Sequence, residues 1–288
     1  MRAAPSVILF TTLSGAGFGT LAAAGLGLAA GPSAWLAGYG LVLAGLTASA
    51  FHLAHPLRAR FAFRRWRTSW LSREAWGAVA ALVVLAPPAV SALLGGPDLR
   101  LFGVLGALLC LATVVATAMI YASLRAVPRW HHGSVPLLYL ACAATGGSFL
   151  IAPPGIAALA CLALGAALAA FFGLGDRRIA ALGLTRAWAT GLGGGAEVRS
   201  FELPRSGPSF VTRELVDRSG AAGSPLWRGL AVLLAGVAPA GLLLWGLAPG
   251  FALGVHLCGI ALSRWLFFTE ATHVAALYYR GELQPRRG

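Results

Sequence analysis

His52, Arg58 and Glu74 lie within a 23-residue stretch that joins two long apolar segments. It begins His52-Leu-Ala-His-Pro-Leu-Arg58, runs on through Arg60, Arg64, Arg65 and Arg67, and closes on Leu71-Ser-Arg-Glu74. An imidazole, a guanidinium and a carboxylate are thereby held at one edge of a hydrocarbon layer. That set suits a carrier dissolved in the membrane that moves two electrons with two protons, because such a carrier needs a proton partner at the water boundary. Plainer readings stand beside this one. A carboxylate opening the third apolar segment also suits the helix dipole, and an interfacial basic loop accounts for Arg60, Arg64, Arg65 and Arg67. His52 is harder to explain that way, since ionisable groups within apolar runs are rare and usually functional.

The elements that position these residues are membrane helices. Of the 288 residues 58% are hydrophobic and 11% charged, with a mean hydropathy of +0.78, whereas a soluble domain is about a quarter charged. Apolar runs of about 20 residues recur, the length that carries a helix across roughly 30 Å of hydrocarbon. Alternating strands of about ten residues, the mark of a transmembrane barrel, are absent. The sequence predicts an all-α, polytopic integral membrane bundle with eight transmembrane helices in a single domain over 1–288. The spans fall at about 6–29, 33–54, 74–94, 100–121, 133–151, 154–173, 226–247 and 250–279. The first apolar run exceeds a signal-peptide core and is kept as a span. The last is long enough to require tilt or an extension beyond the membrane. Gly15 and Gly19 have the spacing that lets two helix backbones approach closely. Residues 174–225 form a polar connection, read either as a solvated loop or as a docking surface for a soluble partner.

Charge is distributed unevenly. The net charge is +13, and all 22 basic residues are arginine. With eight spans, twenty arginines fall on the side of both termini, Arg100 alone falls opposite, and Arg264 lies inside the last span. The positive-inside rule then puts both termini, the His52–Glu74 loop and the 174–225 loop in the cytoplasm. Nucleic acid is a poor partner for charges set between membrane spans. Eight tryptophans fit two interfacial belts, with Trp66, Trp70, Trp76, Trp130, Trp188 and Trp227 near the basic face and Trp35 and Trp245 near the other.

A second polar set, Arg264, Glu270 and His273, occupies the end of the last apolar run. Glu270 and His273 are three residues apart and share a face of a continuous helix, from which they either complete the site near His52 or contact neighbouring helices. The four cysteines sit in apolar runs without C-x-x-C pairing, which argues for small buried side chains and against an iron–sulfur cluster in this chain. Five of six histidines lie toward the basic end. Two stacked haems are therefore excluded, one haem b remains weakly open, and no metal site is expected.

Several motifs together resemble the membrane anchor subunits of the dimethyl sulfoxide reductase type, a family that includes the anchors of cytoplasmic sulfite dehydrogenases. They are His52-Leu-x-x-Pro-x-Arg-Ala59, Ser69-x-Leu-Ser-x-Glu74, Phe10-Thr-Thr-Leu-Ser-Gly-Ala-Gly17, Val198-Arg-Ser-Phe-Glu-Leu-Pro204 and Arg264 through His273. The resemblance implies a quinone site without haem, with His52, Arg58 and Glu74 at the quinone and His55, Ser72, Glu270 and His273 as candidates around them. It implies ubiquinone or menaquinone as the carrier. It further implies two partners, a ferredoxin-like protein with four [4Fe–4S] clusters and a catalytic protein with a molybdenum cofactor. A basic, cytoplasmic face fits the sulfite-oxidising branch and the bacterial inner membrane. The alternatives are a quinol-oxidising anchor of a dimethyl sulfoxide reductase, a haem b anchor, and a transporter using Arg264, Glu270 and His273.

Overall fold

Proline and glycine set where the helices begin and end. The computed structural model describes residues 4–28, 31–51, 61–192, 198 and 223–278, and within them the chain is helical with no strand. Helices α1 (Pro5–Gly25), α2 (Pro32–Ala50), α6 (Pro154–Leu182), α8 (Pro225–Val232) and α10 (Pro249–Thr269) each carry proline in the first turn, where its missing N–H would have lacked a helical partner in any case. Helix α3 (Trp70–Leu94) starts at Ser69, whose hydroxyl accepts from the Ser72 N–H at 3.5 Å, and stops at Gly95 with φ +68°. The remaining helices are α4 (Arg100–Ala122), α5 (Ser134–Ser148), the short α7 (Arg186–Thr190) and α9 (Ala238–Leu244).

Among the described residues seven helical stretches are long and apolar enough to span a membrane: α1–α4, α6, Pro225–Leu244 and α10. The expected span at 133–151 is α5, which has only 15 residues, or roughly 22 Å. Its setting explains its length. It packs on α1, α4, α6 and α10, with Val135 and Ala143 fully enclosed, so protein rather than lipid surrounds much of it. Helix α6 runs nine residues past its expected end, to Leu182.

The last span differs more. It ends at Thr269, and Glu270 caps it. The chain then turns, so that the Val274 N–H donates to the Ala126 carbonyl at 2.9 Å, and continues as a 3-10 helix over Val274–Tyr278. Glu270 and His273 therefore do not share a face of one helix. Apolar residues resume at Val274 directly after the turn, which is why the sequence reads as a single span.

Small residues bring backbones together, as their density predicts, at Gly19 but not at Gly15. Gly19 lies directly on the Ala143 carbonyl and Gly17 on Val42 of α2, whereas an added Cβ at Gly15 would meet nothing within 4 Å. Gly259 of α10 lies on the backbone of Leu234 and Ala235, inside a π-helical stretch over Leu233–Val237 that joins α8 to α9. The wider turn leaves the Ala235 carbonyl to accept from His256 Nδ1 at 2.7 Å. Trp35 and Trp130, assigned to interfacial belts by sequence, are buried in the core instead, while Trp66, Trp76, Trp188, Trp227 and Trp245 are exposed.

A side chain at Gly259 has no room. Gly259→Leu is expected to destabilise the bundle by about 3 kcal/mol, at the upper end of overpacking costs, read as a lowered thermal midpoint in detergent. Gly254→Ala, on the same helix, meets nothing within 4 Å and is expected to leave the midpoint unchanged or slightly raised.

Candidate functional site

The arginine-rich connection is strapped to the start of α3 by side chains of α3 itself. The Ser72 hydroxyl donates to the Ala62 carbonyl. Arg73 donates from Nε to the Trp66 carbonyl at 3.0 Å and from Nη2 to the Arg67 carbonyl at 2.7 Å, with its guanidinium 4.2 Å from the Trp70 ring centre. The Trp76 indole N–H reaches the Phe63 carbonyl at 3.0 Å. Four bonds from three residues thus satisfy backbone carbonyls that no regular element would satisfy, and they hold residues 62–67 against the start of α3. His52, His55 and Arg58 lie outside the described residues. Ser72, a candidate around the site, gives its hydroxyl proton to the strap.

Glu74 stands one turn into α3 and is buried, at 5% exposure. Its neighbour is α4, because α3 and α4 pack along their length and Gly77 allows Thr113 to come within 2.6 Å of where a Cβ would stand. One turn further along α4, the Thr117 hydroxyl donates to Glu74 Oε1. It also stands 3.1 Å from the Thr113 carbonyl, the usual self-bond of a threonine in a helix. A buried carboxylate held by a single hydroxyl can gain or lose a proton with little rearrangement. Sequence reasoning does not single out Thr117. Its one signal is a hydroxyl spaced four residues from another on an apolar helix, and most such hydroxyls bond only their own backbone.

Beside Glu74 lies an aromatic cluster. Tyr121 makes edge contacts with Trp130, Phe267 and Phe268 at 5.2–5.5 Å between ring centres, and Trp130 stacks on Phe267 at 5.1 Å. The Trp130 indole N–H donates to the Phe267 carbonyl at 2.9 Å. Arg264 enters this cluster from α10, 2% exposed, with its guanidinium carbon 3.5 Å from the centre of the Tyr139 ring. Tyr121 and Tyr139 are each within electrostatic reach of both Glu74 and Arg264.

The cluster is bounded by four charges. Arg129 bonds Asp176 Oδ1 at 2.8 Å and Glu270 Oε2 at 2.6 Å. Arg228 bonds Glu270 Oε1 at 2.6 Å and both Asp176 oxygens at 2.5 and 2.9 Å. The quartet is neutral, and it ties the α4–α5 connection, α6, α8 and the end of α10. Gly223, where the described chain resumes, donates its N–H to Glu270 Oε1 at 3.4 Å. Glu270 is thus engaged in holding helix ends, and His273, half-buried, accepts from the Ala275 N–H at 3.1 Å. By sequence Arg129 and Asp176 are loop charges, because ion-pair partners 47 and 141 residues away leave no local pattern. Among the described residues no group of three His, Cys, Asp or Glu side chains converges for a metal ion. Cys110, Cys142 and Cys161 are buried and Cys258 is exposed.

Comparison with known proteins agrees with the motifs. Residues 33–186 match the family model of the DMSO reductase anchor subunit, DmsC. The chain is 34% identical to a sulfite dehydrogenase subunit from Allochromatium vinosum, over 97% of this chain and 99% of that protein. No solved structure matches.

The quartet supports an ordered pair of mutational effects. Glu270 is enclosed, with 3% side-chain exposure, so Glu270→Gln leaves two arginines short of charge and is expected to cost about 3 kcal/mol. Asp176 is 47% exposed, and water screens its loss, so Asp176→Asn is expected to cost about 1 kcal/mol or less. Thermal unfolding of both variants in the same detergent checks the order.

Proposed function

Since the chain belongs to the DMSO reductase anchor subunit family and is a multi-pass membrane protein, we propose that it is the quinone-reactive anchor of a molybdenum and iron–sulfur oxidoreductase that oxidises sulfite in the cytoplasm. The observation that carries this reading is Glu74: a buried carboxylate at the basic end of α3, bonded by Thr117, one turn into the helix that follows the arginine-rich strap. The relative from Allochromatium vinosum, part of a sulfite dehydrogenase by name, favours the direction of electron flow. The motif on which His52 and Arg58 lie falls within the matched span.

The chemistry divides among several proteins. A molybdenum-containing partner would supply the chemistry that turns sulfite and water into sulfate, two electrons and two protons, and the clusters of a ferredoxin-like partner would carry the electrons to the membrane. There a quinone, ubiquinone or menaquinone, takes two electrons and two protons and leaves as quinol. His52 and Arg58 hold its carbonyl oxygens by hydrogen bonds and Glu74 supplies or relays a proton. The basic face, with both termini and the 193–222 connection, lies in the cytoplasm by the positive-inside rule and receives the partners. The same site run backwards would oxidise quinol for a dimethyl sulfoxide reductase, which the family description favours. A complex that reduces quinone with sulfite but leaves dimethyl sulfoxide unreduced by quinol decides between the two.

In inner-membrane vesicles holding the whole complex, His52→Ala and Glu74→Gln are each expected to lower quinone reduction by about a hundredfold or more, the scale of a lost acid–base partner. Sulfite oxidation by a soluble dye that accepts electrons from the clusters should keep its wild-type rate. Quinone reduction at the wild-type rate in both variants removes the two residues from the site.

A further inference from the structure

Arg264 is the least expected charge in the bundle. It lies within an apolar helix, and no carboxylate bonds it among the described residues. Its Nε and the Tyr139 hydroxyl are both buried without a hydrogen-bond partner there. A charge or hydroxyl enclosed in that way is costly enough that buried polar groups almost always have a partner, whether protein or water. Both residues line a cavity that they share with Thr11, Ser14 and Thr117. Its volume is about 10 Å³, room for about one water molecule.

The donors and acceptors around it can be counted. Thr11 and Ser14 give their hydroxyl protons to the Val7 and Phe10 carbonyls at 2.9 and 2.6 Å. Thr117 gives its proton to Glu74. These three oxygens therefore face the cavity with lone pairs and no proton to offer. Arg264 and Tyr139 face it with protons and nothing to receive them. One molecule that accepts two hydrogen bonds and donates two satisfies both sets, and water is that molecule.

We propose that a fixed internal water joins Arg264 to Glu74 through Thr117, so that the two buried charges form a water-mediated ion pair across α10, α4 and α3. The guanidinium donates to the water, the water donates to the Thr117 oxygen, and the Thr117 hydroxyl donates to the carboxylate. All bonds in the chain point the same way, and each polarises the next. Tyr139 supplies the second donor and its ring face carries the guanidinium. Arg264 is thus a positioning residue. It orients the Glu74 carboxylate without touching it, and in that respect the inference rests on the reading of Glu74 as the quinone's proton partner. The family motif at His52–Arg58 is not involved.

The test is a double-mutant cycle on the thermal midpoint of the purified intact complex, with Arg264→Gln, Glu74→Gln and both together. The expected result is that the double variant loses clearly less than the sum of the single losses, and that the coupling vanishes in a Thr117→Val background. Simple addition of the two losses overturns the inference. If Arg264→Gln does not assemble, Arg264→Lys and Tyr139→Phe take its place. In either variant the infrared band of Glu74, assigned by its loss in Glu74→Gln, should move, and an unmoved band overturns the inference. Water density within hydrogen-bond distance of Tyr139 and Arg264, in a map of the complex that resolves other buried waters, supports it; protein atoms filling the cavity, or a dry cavity, overturn it. Quinone reduction by Arg264→Gln should fall about tenfold, the worth of a charge-assisted hydrogen bond. Wild-type quinone reduction by Glu74→Gln alongside a coupled cycle would refute the quinone reading and leave the water-mediated pair standing.

Discussion

A charge surrounded by hydrocarbon and protein must meet another charge or a hydrogen-bonding group, and this bundle depends on how that demand is met at its basic end. Most of the chain is apolar helix whose backbone groups bond within the helix, as lipid requires. Apart from His256, which bonds the Ala235 carbonyl, the buried acidic and basic side chains named above gather toward that end. Arg129, Asp176, Arg228 and Glu270 neutralise one another where four segments converge. Glu74 and Arg264 lie close by with no direct ionic partner among the described residues. The first group holds helix ends in place, and the second is the pair on which the proposed chemistry rests.

Aromatic rings pack beside both groups. Tyr121, Trp130, Phe267 and Phe268 pack edge to face and face to face, and electrostatic interactions are stronger in such an apolar setting than in water. The same layer takes in the first turns of α5, whose later turns lie against Gly19 and Thr20 of α1. The arginine-rich strap sits outside the layer, with Trp66 exposed.

Fold class was legible in composition, because twenty-residue apolar runs leave only a helical bundle as a way to satisfy the backbone. Span boundaries were legible where proline and glycine stand, at Pro5, Pro32, Gly95, Pro154, Pro225 and Pro249. They were obscured where apolar residues resume just past a turn, as after Thr269–His273, and where a helix is largely packed by protein, as in α5. Small residues announced close packing without saying which would make contact: Gly15 and Gly19 have equal standing in the sequence, and only Gly19 lies on a neighbour. The family motif drew attention to Glu74, and nothing local drew attention to Thr117, Tyr139 or Arg129.

The chain's own order of residues determined what was local: the apolar runs, the helix starts, the concentration of arginine between certain runs, and a motif that carries a histidine, an arginine and a glutamate within 23 residues. Only the tertiary arrangement decided which polar groups would meet. Arg129 finds Glu270 across 141 residues and Thr117 finds Glu74 across 43, and no periodicity records such distances. The physical reason is that membrane helices are stabilised one at a time by their own backbone bonds, whereas the partner of a buried charge depends on how the helices then pack.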